Sequence, residues 1–323
     1  MRAVIAPEPG GLEALQVADL PVPEPGEGEV LIGIEAAGLN RADLLQRQGF
    51  YPPPPGITDV LGLECAGTIA AIGPGVDGFS VGDSVCALLA GGGYADFVAV
   101  PAGQVTALPA GLSMIEAAGF METSCTVWSN LVMVAGLAAG ETLLVHGGTS
   151  GIGTTAIQVA KALGSRVVTT VGSDQKADAA RQLGADVVIN YRTDDFAQAM
   201  ADADIAADVI LDIIGAKYLA SNVNALATNG RLVVIGMQGG IAAELNLAAL
   251  LGKRASVTAT SLRARPVAEK SDIVRETVRG VTPMVESGAL RPVVHATFDV
   301  ADVAEAHRVL ESSEHIGKLV LTF

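Results

Sequence analysis

The chain has 323 residues, and its 35 acidic against 20 basic side chains give a formal net charge of -15. Half of its residues are hydrophobic and only 17% are charged, which excludes a disordered chain and supports a large buried core. The few lysines and arginines are scattered, which excludes a surface built to neutralise nucleic-acid phosphates.

The N-terminal stretch Met1-Arg2-Ala3-Val4-Ile5-Ala6-Pro7-Glu8 carries a proline and an acid where a secretory leader would carry its apolar region, so a cytoplasmic location is expected. The first third is dense in Gly and Pro, with short apolar runs such as Val30-Leu31-Ile32 and Phe97-Val98-Ala99-Val100, a pattern of short strands joined by turns. From about Glu116 the pattern changes to apolar strands alternating with Ala-rich helical stretches, which implies βαβ units and a parallel sheet.

The clearest unit is the strand Thr142–His146, the turn Gly147-Gly148-Thr149-Ser150-Gly151-Ile152-Gly153 and a helix from Thr154 to Leu163. Strands are expected next at Arg166–Val171, Asp186–Ile189, Val209–Ile213, Arg231–Ile235 and Ser256–Thr260, with a helix from Lys176 to Leu183. A helix from Ala268 to Glu286 follows, and the apolar stretch Lys318–Leu321 reads as a lone strand that must pair with the open edges of the first domain. The expectation is an α/β protein with a split, strand-rich domain at 1–117 and 265–323. A doubly wound dinucleotide-binding domain at 118–264 is inserted into it. No apolar run reaches the length of a membrane span. Cys65, Cys86 and Cys125 lack paired spacing and read as reduced, buried thiols.

The glycine turn brings backbone N–H groups to a pyrophosphate at the positive end of the following helix. Aligning Gly148 and Gly153 with the outer glycines of G-x-G-x-x-G puts Ser150 at the middle position, where its hydroxyl can still donate to phosphate. After the second strand, Ser173 and Lys176 suit the 2′-phosphate of NADPH, one by hydrogen bonding and the other by charge. The other reading is that Ser173 caps the next helix and Lys176 is solvated. His146, at the end of a buried strand without ligand spacing, reads as structural, and no His or Cys pattern fits a metal site.

The stretch Gly38-Leu39-Asn40-Arg41-Ala42-Asp43-Leu44-Leu45-Gln46-Arg47-Gln48-Gly49, with Tyr51-Pro52-Pro53-Pro54, Gly62-Leu63-Glu64 and the glycine turn, resembles the quinone oxidoreductases of the medium-chain dehydrogenase/reductase superfamily. The resemblance runs from Met1 to His315-Ile316-Gly317-Lys318 and is strongest to the p53-inducible branch. It implies a GroES-like catalytic domain, a Rossmann domain and a cleft between them. The ligands of the zinc alcohol dehydrogenases fall near Asn40, Leu63 and Glu122, which cannot build a zinc site, so a metal-free enzyme is expected.

A metal-free site must reduce an acceptor that is already electrophilic. The resemblance places Asn40 and Thr126 near the nicotinamide and Tyr51 beside the quinone; packing of Tyr51 against the prolines is the other reading. It extends the cofactor set beyond Gly148, Ser150 and Gly153 to Gly151, Ile152, Ser173, Lys176, Tyr191, Ile213, Gly236, Met237, Leu262 and Arg263. Arg263 would reach a phosphate or be solvated, and Tyr191 would pack near the adenine or be a surface aromatic. Hydride transfer from NADPH to a quinone is the leading expectation, in a cytoplasmic homodimer with no nucleic-acid or membrane partner. A zinc-free enone or alkenal reductase and a non-catalytic NADPH-binding regulator are the alternatives.

Overall fold

A computed structural model describes residues 1–323, all of the chain. In chain order it begins with strands β1 (Arg2–Ile5), β2 (Gln16–Asp19) and β3 (Glu29–Gly38), helix α1 (Arg41–Arg47), and strands β4 (Glu64–Ile72), β5 (Ser84–Leu88), β6 (Phe97–Pro101) and β7 (Val105–Ala107). Helices α2 (Met114–Ala118) and α3 (Met121–Trp128) follow, then a π-helical turn at Ser129–Val134. An alternating stretch comes next: β8 (Thr142–His146), α4 (Gly151–Ala162), β9 (Arg166–Val171), α5 (Asp174–Gln182), β10 (Val187–Asn190), α6 (Phe196–Asp202), β11 (Ala207–Asp212), α7 (Leu219–Ala225), β12 (Leu226–Val234), α8 (Leu247–Lys253) and β13 (Ser256–Ala259). The chain closes with α9 (Val267–Glu286), β14 (Val294–Asp299), α10 (Val303–Ser312) and β15 (Lys318–Thr322).

Two compact units result, one of residues 1–125 and 262–323 and the other of residues 126–261. The divisions between the units lie at 125/126 and 261/262, and the boundaries expected from the sequence are 117/118 and 264/265. The first lies ahead of α3, a continuous helix that carries the chain from one unit into the other.

In the discontinuous unit a mixed seven-stranded sheet runs β14-β15-β3-β4-β5-β7, with β6 also paired to β3. The C-terminal strand β15 is internal, antiparallel to β3 and parallel to β14. β14 alternates half-buried and exposed residues, so no apolar run marks it in the sequence, and the strand expected at Lys318–Leu321 is not alone. The core of this unit joins Val30, Ile32 and Ile34 of β3 to Leu319 and Leu321 of β15 and to Val303 and Leu310 of α10.

In the contiguous unit six strands are parallel in the order β10-β9-β8-β11-β12-β13. Numbered along the chain this is 3-2-1-4-5-6, the doubly wound arrangement expected from the sequence, with its switch point between β8 and β11. Both faces of such a sheet are covered, so its strands read as continuous apolar runs; Leu143, Leu144 and Val145 are wholly buried. The loops that follow β8, β9, β10, β11 and β12 therefore gather at the carboxyl edge of one sheet.

Candidate functional site

The turn after β8 uses its own groups sparingly. Gly147 takes a φ of +71°, a region open to glycine at little cost. A Cβ on Gly153 would overlap the carbonyl of Gly147, so the first turn of α4 packs directly on the strand end. Ser150 caps α4: its hydroxyl accepts from the Gly153 N–H at 3.0 Å and donates to the Gly147 carbonyl at 2.8 Å. That corrects the expectation for Ser150, because its only proton is already committed within the turn. The N–H groups of Gly151 and Ile152 are the first two of α4, which have no intrahelical acceptor, and they form with the helix dipole a donor set that fits a pyrophosphate.

The neighbouring strand ends bring the other expected residues together. Ser173 caps α5 by accepting from the Lys176 N–H at 3.3 Å, and its side chain and that of Lys176 are both half-buried. Tyr191 follows β10 and lays its phenol against Gly172, where a Cβ would come within 2.5 Å of the hydroxyl. Ile213 follows β11 and lies between the glycine positions 147 and 236; Met237, next to Gly236, is 61% exposed. Gly148 to Gly153, Ser173, Lys176, Tyr191, Ile213, Gly236 and Met237 thus share one edge of the contiguous unit. Thr126 is buried on α3, with its carbonyl accepting from Asn130 Nδ2 at 2.7 Å.

In the discontinuous unit the cluster around Asn40 has no counterpart in the sequence reading. Lys318, on β15, places its ammonium 2.7 Å from Glu64 Oε1, 2.6 Å from Asn40 Oδ1 and 2.6 Å from the Leu39 carbonyl. Three acceptors for three protons satisfy it completely. Asn40 Nδ2 donates to Glu64 Oε1 at 3.0 Å and weakly to the Gly38 carbonyl at 3.4 Å, while Glu64 Oε2 accepts from the Glu122 N–H at 3.0 Å. Gly38 has to be glycine here, since a Cβ would stand 2.5 Å from Glu64 Oε1. With the ammonium on one side and the carboxylate on the other, the Asn40 amide has one orientation and no strong donor left. It can act as an acceptor.

The Lys318–Glu64 ion pair thus ties the Asn40 amide to the backbone N–H of Glu122, and Leu63 only precedes Glu64 in the chain. Leu63 offers no ligand atom, and no three His, Cys, Asp or Glu side chains come together to hold a metal. Beside them Asp43 accepts from the Asn40 N–H at 2.7 Å and the Tyr94 hydroxyl at 2.8 Å, and burial raises its pKa to about 6.

Tyr51 and Arg263 face one another. The Arg263 guanidinium lies 5.2 Å from the centre of the Tyr51 ring and donates to the Tyr51 carbonyl at 3.1 Å, to Gln46 Oε1 at 2.7 Å and to the Ala90 carbonyl at 2.7 Å. This corrects both expectations for Arg263. Buried and bonded on three sides, it neither reaches a phosphate nor is solvated; it fixes the loop that carries Tyr51. The adjoining Leu262 is half-buried in the same unit. Burial raises the Tyr51 pKa, with Arg263 pulling the other way and Glu122 adding to the rise, so the phenol stays protonated and able to donate near neutrality. The three cysteines are buried and burial pushes their thiols up, which makes them inert packing groups.

Residues 26–110 match the family described as alcohol dehydrogenase GroES-like domain, and residues 183–321 match the family described as zinc-binding dehydrogenase. The quinone oxidoreductase of Rattus norvegicus is 31% identical over 326 residues, which cover 99% of this chain and 97% of that protein. The mycocerosic acid synthase-like polyketide synthase of Mycobacterium tuberculosis is 34% identical over 324 residues; these cover 97% of this chain but only 15% of the synthase, so the chain spans a small part of that protein's length. The crystal structure of Escherichia coli quinone oxidoreductase complexed with NADPH superposes with a TM-score of 0.88 at 29% identity, covering 100% of this chain and 99% of that one.

Proposed function

This chain belongs to the quinone oxidoreductase group of the medium-chain dehydrogenase/reductase superfamily, and on that premise we propose that it is an NADPH-dependent quinone reductase that works without a metal. Within the group we place it nearest the p53-inducible branch, on the Asn40–Gly49 and Tyr51–Pro54 motifs. The observation that carries the reading is the Asn40–Glu64–Lys318 cluster, in which the Glu64 carboxylate, the group a metal would need free, is neutralised by the Lys318 ammonium and bonded by the Asn40 amide. Nothing in that donor set polarises a simple ketone as a Lewis acid does. The acceptor must therefore delocalise the negative charge itself, as a quinone does.

The N–H groups of Gly151 and Ile152 would hold the pyrophosphate, Ser173 and Lys176 the 2′-phosphate, Tyr191 the adenine, and Ile213, Gly236 and Met237 the remaining contacts. Leu262 and Thr126 belong to the same proposal, as carried over from the resemblance. The chemistry that NADPH supplies when bound is a hydride; with one proton it converts a quinone to a hydroquinone. Asn40 offers a carbonyl lone pair, suited to a ribose hydroxyl, and Tyr51 offers the hydroxyl that hydrogen-bonds to the acceptor oxygen. Arg263 keeps that phenol in place.

A homodimer in the cytoplasm is part of the reading. β13 ends the six-stranded sheet as an open edge, and Leu247 and Leu251 on the preceding helix are 69% and 79% exposed. No helix is long and apolar enough to cross a membrane.

The test is NADPH oxidation beside NADH, with an ortho-quinone and a para-quinone, using chelator-treated protein. Fast turnover with NADPH that survives chelation supports the proposal. The likeness to the crystal structure of CurK enoyl reductase, with a TM-score of 0.86 at 28% identity, favours one second reading, reduction of a conjugated enone; a strong preference for an enone over both quinones decides for it. Tight NADPH binding without turnover on either panel favours a regulatory, non-catalytic protein.

A further inference from the structure

His146 is the last residue of β8 and is completely buried, as are Asn222 on α7 and Asp212 at the end of β11. The three are hydrogen-bonded in a row. His146 Nε2 lies 2.7 Å from Asn222 Oδ1, Asn222 Nδ2 donates to Asp212 Oδ2 at 3.1 Å, and His146 Nδ1 lies 3.0 Å from the hydroxyl of Thr170 on β9. The row continues to the backbone at both ends. The Gly147 N–H donates to Thr170 Oγ1 at 3.3 Å, and the Asp212 carboxylate accepts from the N–H groups of Ile214 at 2.7 Å and Gly215 at 3.1 Å.

The polarity of the row follows from the groups themselves. A backbone N–H only donates, so Thr170 Oγ1 accepts from Gly147, and its own proton goes to Nδ1 once the other end of the row puts the ring proton on Nε2. A carboxylate only accepts, so Asn222 turns its NH2 to Asp212 and leaves Oδ1 to accept from Nε2–H. The imidazole is therefore neutral and carries its proton on Nε2. The rings of Phe196 and Tyr218 close over it, with centroids 4.7 and 4.9 Å away. An apolar side chain of the same size would leave Thr170 and Asn222 without these partners. The polar row crosses three adjacent strand ends, β9, β8 and β11, at the switch point of the sheet.

We propose that His146, through Asn222, is a positioning residue for dinucleotide binding: it joins the turn 147–150 to the turn 213–215 and holds the Asp212 carboxylate inward, away from the phosphates. The row fixes the first turn by the Gly147 N–H and the second by Asp212, whose carbonyl also accepts from the Ile235 N–H at 2.8 Å ahead of Gly236. A carboxylate released from it at this edge would repel a pyrophosphate. The 2′-phosphate end of the ligand, at Ser173 and Lys176, lies outside the row.

This inference rests on the NADPH reading, and the experiment separates the two. The affinities of NADPH and of adenosine 2′-monophosphate, which lacks the pyrophosphate and the nicotinamide, are measured for wild type, His146→Phe, Asn222→Leu and the double variant, and for His146→Gln. The expected result is an NADPH affinity about tenfold weaker in each single variant, no further loss in the double, partial recovery in His146→Gln and an unchanged affinity for the monophosphate. Folded variants that bind NADPH as tightly as wild type overturn the relay alone, even if their thermal stability falls. A wild type that binds neither ligand overturns the NADPH reading and the relay with it. Imidazole 15N shifts of the unaltered protein give a readout that needs no variant: the Nε2–H tautomer is expected, and an Nδ1–H tautomer refutes the polarity of the row.

Discussion

Replacing Lys318 by Met removes one charge from a pair with almost no solvent access, Lys318 being 5% and Glu64 0% exposed. The ammonium makes three bonds of 2.6 to 2.7 Å, so Lys318→Met strips Glu64 of its counter-charge and leaves the Leu39 carbonyl without its ammonium donor. Breaking a buried pair from one side typically costs about 3–5 kcal/mol, because the remaining carboxylate stays buried without a partner charge. Neutralising both sides is cheaper. Adding Glu64→Gln to Lys318→Met keeps an acceptor for the Glu122 N–H and lets the Asn40 amide turn to pair with the new carboxamide, so the double variant should recover about 2 kcal/mol of the loss. The assay is equilibrium unfolding in guanidinium chloride followed by circular dichroism, with wild type, both single variants and the double variant compared in one cycle. Because the pair is dry, the loss should persist in high salt, unlike that of a surface ion pair. A single Lys318→Met variant within about 0.5 kcal/mol of wild type, or a double variant less stable than Lys318→Met, refutes the reasoning.

Two further outcomes are expected. Tyr51→Phe keeps the ring against Arg263 and removes only the hydroxyl, so quinone kcat/KM should fall by about 10- to 100-fold while NADPH affinity is unchanged; steady-state kinetics beside a binding titration check it. His146 is depressed from 6.5 to about 4 by burial, so between those values the unfolded chain binds the proton and the folded protein does not. Its contribution is fully present above about pH 6.5 and is lost as pH falls toward 4, by about 3 kcal/mol in all. Asp43, raised by burial to about 6, acts with the opposite sign over the same range, so the stability gap between wild type and His146→Phe, measured from pH 4 to 7, isolates the histidine.

The contiguous unit was largely legible because its information is local. β8 and β9 lie where their apolar runs and flanking glycines place them, while α4 and α5 begin at Gly151 and Asp174, ahead of the expected Thr154 and Lys176, because Ser150 and Ser173 cap them. β12 starts at Leu226, five residues ahead of the run Arg231–Ile235, because Asn229-Gly230 reads as a turn yet is crossed by the strand with Asn229 at a φ of +63°. The discontinuous unit was harder, since its critical pairings join residues far apart in the chain. Lys318 meets Asn40 and Glu64 only through the β15–β3 pairing. A lysine opening an otherwise apolar strand, and a glutamate opening another, were the available signals. Arg263 gave none, because two of its three partners are backbone carbonyls.

The internal place of β15 also sets a timetable for synthesis. Residues 126–261 form a contiguous unit, whereas Ala36–Gly38 of β3 wait for Val320–Thr322. At roughly 5–20 residues per second on the ribosome, the intervening stretch takes about 15–60 s to make. For that interval an apolar strand edge and the Glu64 carboxylate lack the partners that later cover and neutralise them. The nascent first unit is therefore the part of this protein most exposed to misassembly, and a chain that stops ahead of Lys318 leaves it without both its closing strand and the buried counter-charge to Glu64.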